Sequence, residues 1–114
     1  MRSLTPLALL ALAVGFAPLA KASCEYPPDF KVPDGKSATQ EEITAASTVV
    51  KKYLADMETY TACLDTEAAA LPVEQQTEEA KSLRVKRYNA AVDAMEAAAS
   101  AFNEQLRAFK AAKK

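Results

Sequence analysis

The chain has 114 residues, with 14 Lys+Arg against 15 Asp+Glu, two Gly, six Pro and two Cys, and it contains neither His nor Trp. That length holds one small domain. With no imidazole, histidine-based catalysis, histidine ligation of haem and the usual zinc constellations are excluded by inventory.

Residues 1–22 have the make-up of a cleaved export signal. Arg2 supplies the positive start, Leu7 to Phe16 is an uninterrupted apolar run, and Ala20-Lys21-Ala22 fits the small-x-small pattern of a signal peptidase site. A membrane span needs about 20 apolar residues, and this run is half that length and is followed by Pro18. Cleavage after Ala22 leaves a mature chain of 92 residues with no membrane span, delivered to the periplasm or secreted. Lipid attachment at Cys24 would require a larger aliphatic residue where Lys21 stands. Export sets the redox state of Cys24 and Cys63, an even pair in an oxidising compartment, so one disulfide is expected.

Residues 23–38 hold three of the mature chain's four prolines and its only glycine, Gly35. This composition predicts an extended Pro-rich arm ending in a turn at Pro33-Asp34-Gly35, with glycine expected at a positive φ. Thr39-Gln40-Glu41-Glu42 follows as a capping box. A first helix is predicted over about 40–70, closed by Pro72, and a second over about 78–112. The first carries a heptad seam of Ile43, Ala46, Val50, Tyr53, Met57, Tyr60 and Leu64, and the second continues the rhythm with Val85, Tyr88, Val92, Met95, Ala99, Phe102, Leu106 and Phe109. Met57 and Met95 lie on these seams as packing residues.

The short connection makes the helices antiparallel neighbours. The expected fold is therefore all-α, a coiled-coil-like two-helix hairpin over 39–114, with the arm clasped to it by one disulfide. A turn centred near Glu74 pairs Leu64 with Val85, Tyr60 with Tyr88, Met57 with Val92, Tyr53 with Met95, Val50 with Ala99, Ala46 with Phe102 and Ile43 with Leu106, and it sets Glu67 opposite Lys81. Cys63 lies about 35 Å along the first helix, within the roughly 50 Å that the arm spans when extended. One flank of the seam carries Val49, Cys63, Ala91 and Ala98, and the other Ser47, Thr61, Asn89, Glu96 and Asn103. The arm is placed on the first, where Tyr26, Pro27, Pro28, Phe30 and Val32 fill an alanine-lined groove. The core is thin, with 19 alanines and 21 larger apolar residues in the mature chain. Completion by the arm and disulfide, assembly into a four-helix bundle, and disorder in isolation all remain open.

The segment Cys24 to Asp65, with C-x-Y-P-P, V-P-D-G-x-x-A-T and Y-T-A-C-L-D, resembles a group of small exported proteins of proteobacteria without assigned function. The resemblance implies that the P-D-G turn and the two cysteines belong to one construction. It implies no activity.

No constellation here carries recognisable chemistry, so no catalytic residue, metal ligand or cofactor is expected. Asp56, Glu58, Asp65, Glu67, Glu78 and Glu79 are solvated carboxylates, and one mature glycine cannot build a phosphate loop. Charge is more informative: residues 23–80 hold 4 basic and 12 acidic side chains, and residues 81–114 hold 8 basic and 3 acidic. Mutual compensation between the helices is one expectation. Contact of Lys81, Arg84, Lys86 and Arg87, and of Lys110, Lys113 and Lys114, with an anionic envelope component is the other. Nucleic acid is not expected for an exported chain with short basic clusters and negative mature charge. The expected role is a non-catalytic interaction or structural protein of the cell envelope that binds a protein partner or itself. A holdase-like chaperone and a lipid-anchored tether are the alternatives.

Overall fold

The computed structural model describes residues Cys24 to Lys113. Residues 1–23, which include the expected export signal, and Lys114 lie outside the described residues. An extended arm leads into α1 (Gln40–Ala70), a 3₁₀ turn at Val73–Gln75, and α2 (Glu78–Ala112), which packs back against α1.

Local chemistry sets both ends of α1 and the start of α2. Thr39 is extended and its hydroxyl accepts from Glu42 N–H at 3.1 Å, while the Glu42 carboxylate accepts from Thr39 N–H at 3.0 Å, which completes the capping box. Leu71 ends α1 in a β conformation ahead of Pro72, as a residue preceding proline must be biased. Gln76 Nε2 donates to the Leu71 carbonyl at 2.9 Å, closing the connection on itself. Thr77 caps α2 by accepting from Ala80 N–H at 3.1 Å. Acidic Glu78 and Glu79 open α2 and basic Lys110 sits in its last turn, both favourable to the helix dipole.

The seam of α1 is buried along its whole length: Ile43, Ala46, Val50, Tyr53, Met57, Tyr60 and Leu64. Met57 and Ala91 are wholly inaccessible and share one core cluster with Tyr53, Tyr60 and Leu64. The rotation of α2 about its own axis differs from the predicted one. Its buried residues are Ala91 and Phe109, Ala94 and Ala98 pack against the core beside Met95, and Val85 and Tyr88 are exposed. The Leu64–Val85 and Tyr60–Tyr88 layers are therefore not buried layers. Ala91, Ala94 and Ala98 share this core with Cys24 and Phe30 of the arm, and close packing of three elements favours small side chains there.

The arm runs antiparallel to α1. Cys24 is bonded to Cys63, with Cα atoms 5.5 Å apart, inside the ordinary disulfide range. Tyr26 meets Tyr60 edge to face at 5.1 Å between centroids, and Phe30 meets Tyr53 likewise at 4.9 Å, a geometry favoured by the ring quadrupole. Pro27 is buried, Phe30 and Val32 are half-buried, and Pro28 faces out. On this flank Val49 stays 44% exposed, so the arm does not cover it. Thr61, expected on the polar flank, is buried instead and donates its hydroxyl to the Glu58 carbonyl at 2.9 Å.

Gly35 corrects a further expectation. Its φ is not positive. What requires glycine is space: a Cβ here would collide with the Gln105 carbonyl oxygen and lie 2.9 Å from the Phe109 nitrogen, both on the α2 backbone. Gly35 N–H also donates to Gln105 Oε1 at 2.8 Å. The turn thus docks the base of the arm directly on α2, with Ser37 and Ala38 N–H folded onto the Asp34 carbonyl at 3.2 and 2.9 Å.

Candidate functional site

Two surfaces are left once the core is accounted for. At the loop end of the hairpin, α1 and α2 enclose a cleft of about 360 Å³. Its α1 wall includes Leu64, Ala68, Ala69 and Leu71, with Asp65 and Glu67, and its α2 wall includes Ala80, Lys81, Leu83, Arg84 and Arg87. The second surface is the heptad stripe of α2. Val85 is 52% and Tyr88 42% exposed, and Val92, Met95, Ala99, Phe102 and Leu106 are half-buried.

The first basic cluster divides between helix faces. Lys81, Arg84 and Arg87 line the cleft, whereas Lys86 points to a shallow depression with Glu78, Glu79 and Ser82. Of the second cluster, Lys110 is exposed in the last turn of α2. Lys113 ties the open end of the hairpin, its Nζ 3.4 Å from Gln40 Oε1 and 4.4 Å above the Phe109 ring.

Ion pairing between the helices is not what holds them. Among the described residues the salt bridges are Lys52–Asp56 and Lys81–Glu78, each within one helix. Lys81 therefore turns along α2 to Glu78 rather than across to Glu67. Glu67 Oε2 lies 3.1 Å from Cys24 Sγ, a close contact and not a hydrogen bond, because a disulfide sulfur has no proton to donate. Neither Arg84 nor Arg87 has a carboxylate within 4.0 Å among the described residues.

One ionisable group is clearly perturbed. Burial pushes the Tyr53 phenol up from its ordinary range, and hydrogen bonding and charge from Tyr26 together with the charge of Asp29 add to it. The effect belongs to the packing of arm on α1, since Tyr53 is a core residue far from the cleft. Among the described residues, no group of three or more Cys, Asp or Glu side chains is arranged to hold a metal ion, and no helix is long and apolar enough to cross a membrane.

The basic residues of the cleft were visible in the sequence as a charge cluster, but their confrontation with Leu64, Ala68 and Leu71 was not. The signal for it is spacing: Ala80, Arg84, Arg87, Ala91 and Ala98 recur at helical intervals on the buried stripe of α2. No family model, no curated protein and no solved structure matches the chain.

Proposed function

We propose that the mature chain is an exported, non-catalytic interaction protein of the cell envelope that binds a second copy of itself through the heptad stripe of α2. The observation that carries this reading is the stripe itself. Seven residues in strict heptad spacing, from Val85 to Leu106, remain exposed or half-buried, Met95 among them also touching the core, while the fully buried positions of α2 are Ala91 and Phe109. Such a stripe is self-complementary when two copies cross antiparallel. Layers then form between Val85 and Phe102, Tyr88 and Ala99, and Val92 and Met95, each drawn from opposite copies, with large side chains meeting smaller ones. The result is a four-helix bundle, the arrangement that gives a thin hairpin a second apolar layer. The disulfide supports an oxidising compartment. It also occupies the sulfur that a lipid-anchored tether would need.

Sedimentation of the mature protein at several concentrations tests the reading. A dimer that becomes monomeric in the Val85→Lys/Tyr88→Lys double variant, with helicity retained, is expected. A wild-type monomer at every concentration overturns self-association. In that case, suppression of aggregation in a model client would favour the chaperone alternative. Intact mass of the envelope-extracted protein tests export: the chain should begin at Ser23 and lack two hydrogens.

A further inference from the structure

We infer that the cleft at the loop end of the hairpin is a binding site for a single-chain amphiphile with one anionic head. The stripe of α2 that faces α1 carries Ala91, Ala98 and Phe109 where the core is closed. Toward the loop the same stripe carries Arg84 and Arg87, and there the helices stand apart around about 360 Å³. Arg84 is half-buried there and Arg87 exposed, and a half-buried guanidinium left without a partner carries a desolvation cost. The described ion pairs leave both arginines out, although Asp65 and Glu67 also line the cleft. Beside those carboxylates the opposite wall carries an aliphatic surface of Leu64, Ala68 and Leu71.

A cleft that sets two unpaired arginines beside an aliphatic surface matches a ligand with the same two parts. Arg84 and Arg87, three residues apart on one helix face, form a fork for a carboxylate, sulfate or phosphate. The alkyl chain lies against Leu64, Ala68 and Leu83. The volume is at the small end of ligand clefts, about 300–1,000 Å³, so one chain fits and a two-chain lipid does not enter whole. Asp65 and Glu67, also in the lining, oppose a multiply charged head. The site is separate from the dimerisation stripe, and it stands or falls apart from that reading.

Calorimetric titration with decanoate below its micellar concentration tests the inference, with decyltrimethylammonium as the cationic counterpart and phosphatidylglycerol vesicles as the bilayer source. Saturable binding of decanoate at one site is expected, with no binding of the cationic amphiphile. Arg84→Gln/Arg87→Gln, at one half-buried and one exposed position, should weaken binding at least tenfold, and Lys86→Gln, outside the cleft, should leave it unchanged. Vesicle binding that decanoate displaces identifies a lipid acyl chain as one source of the ligand, and decanoate binding without vesicle binding identifies free amphiphiles. Absence of saturable decanoate binding, equal binding of the cationic amphiphile, vesicle binding alone, or full affinity in the folded double-arginine variant would each overturn it.

Discussion

Replacing Gly35 by alanine isolates the fit between the arm and α2. Because φ at Gly35 is not positive, alanine is compatible with the backbone, and the smaller freedom of the unfolded chain favours it by about 0.4–1 kcal/mol. The added methyl group, however, points into the Gln105 carbonyl and the Phe109 nitrogen. These are helix backbone atoms that cannot rotate away as a side chain would, so an overpacking cost of about 1–3 kcal/mol applies. Displacing the turn also breaks the 2.8 Å bond from Gly35 N–H to Gln105 Oε1, worth about 0.5–1.5 kcal/mol. The central values leave a net loss of about 2 kcal/mol, a fall of roughly thirtyfold in the folding constant. Urea denaturation followed by circular dichroism measures it, and amide exchange should show the turn opening while the Cys24 end stays closed. Gln105→Ala, which removes the hydrogen bond without the collision, should cost about 1 kcal/mol. A Gly35→Ala protein as stable as wild type would refute the close-approach argument.

The remaining predictions concern the other anchors of the arm. Cys24→Ser/Cys63→Ser opens a loop with 39 residues of separation and should lower stability by about 4 kcal/mol on the chain-entropy account. A loss below about 1 kcal/mol in urea titration would show that the arm holds itself. The Tyr53 phenol ionises, when folded, above the ordinary value of 10.0 because burial comes first and Tyr26 and Asp29 follow. The folded state therefore keeps its proton where the unfolded chain releases it. This contribution is complete below pH 10 and is lost as pH rises through the folded value. Tyr53→Phe should flatten that alkaline fall in stability, and an unchanged slope in denaturation measured at several alkaline pH values would count against it.

Helix limits were legible because they depend on neighbours in the chain. Thr39 with Glu42, and Pro72 after Leu71, act within a few residues, and the structure places the helices where those signals put them. The clasp was legible too, since reach and compartment chemistry needed only distances along the chain. The facing of α2 was not. Val85, Tyr88 and Val92 share heptad spacing with the alanine row at 91 and 98, and periodicity gives weight to larger side chains. The row at 91 and 98 packs with Cys24 and Phe30 of the arm, a contact that periodicity alone does not weigh. The cap at Thr77 was missed because Ala80 stands where a capping box would have an acid or amide, leaving half the motif. The role of Gly35 was misassigned for a related reason: a turn motif explains a glycine locally, whereas its steric need arises from α2, some 70 residues away.

The Cys24–Cys63 bond turns the arm and most of α1 into a covalent ring, while α2 lies wholly outside it. A pull on the far end of the protein, as a tethered partner would exert, can therefore lengthen only the chain beyond the ring. The second helix peels away first and absorbs the load, and the closed portion keeps its aromatic contacts in place as a template on which the released helix can rewind.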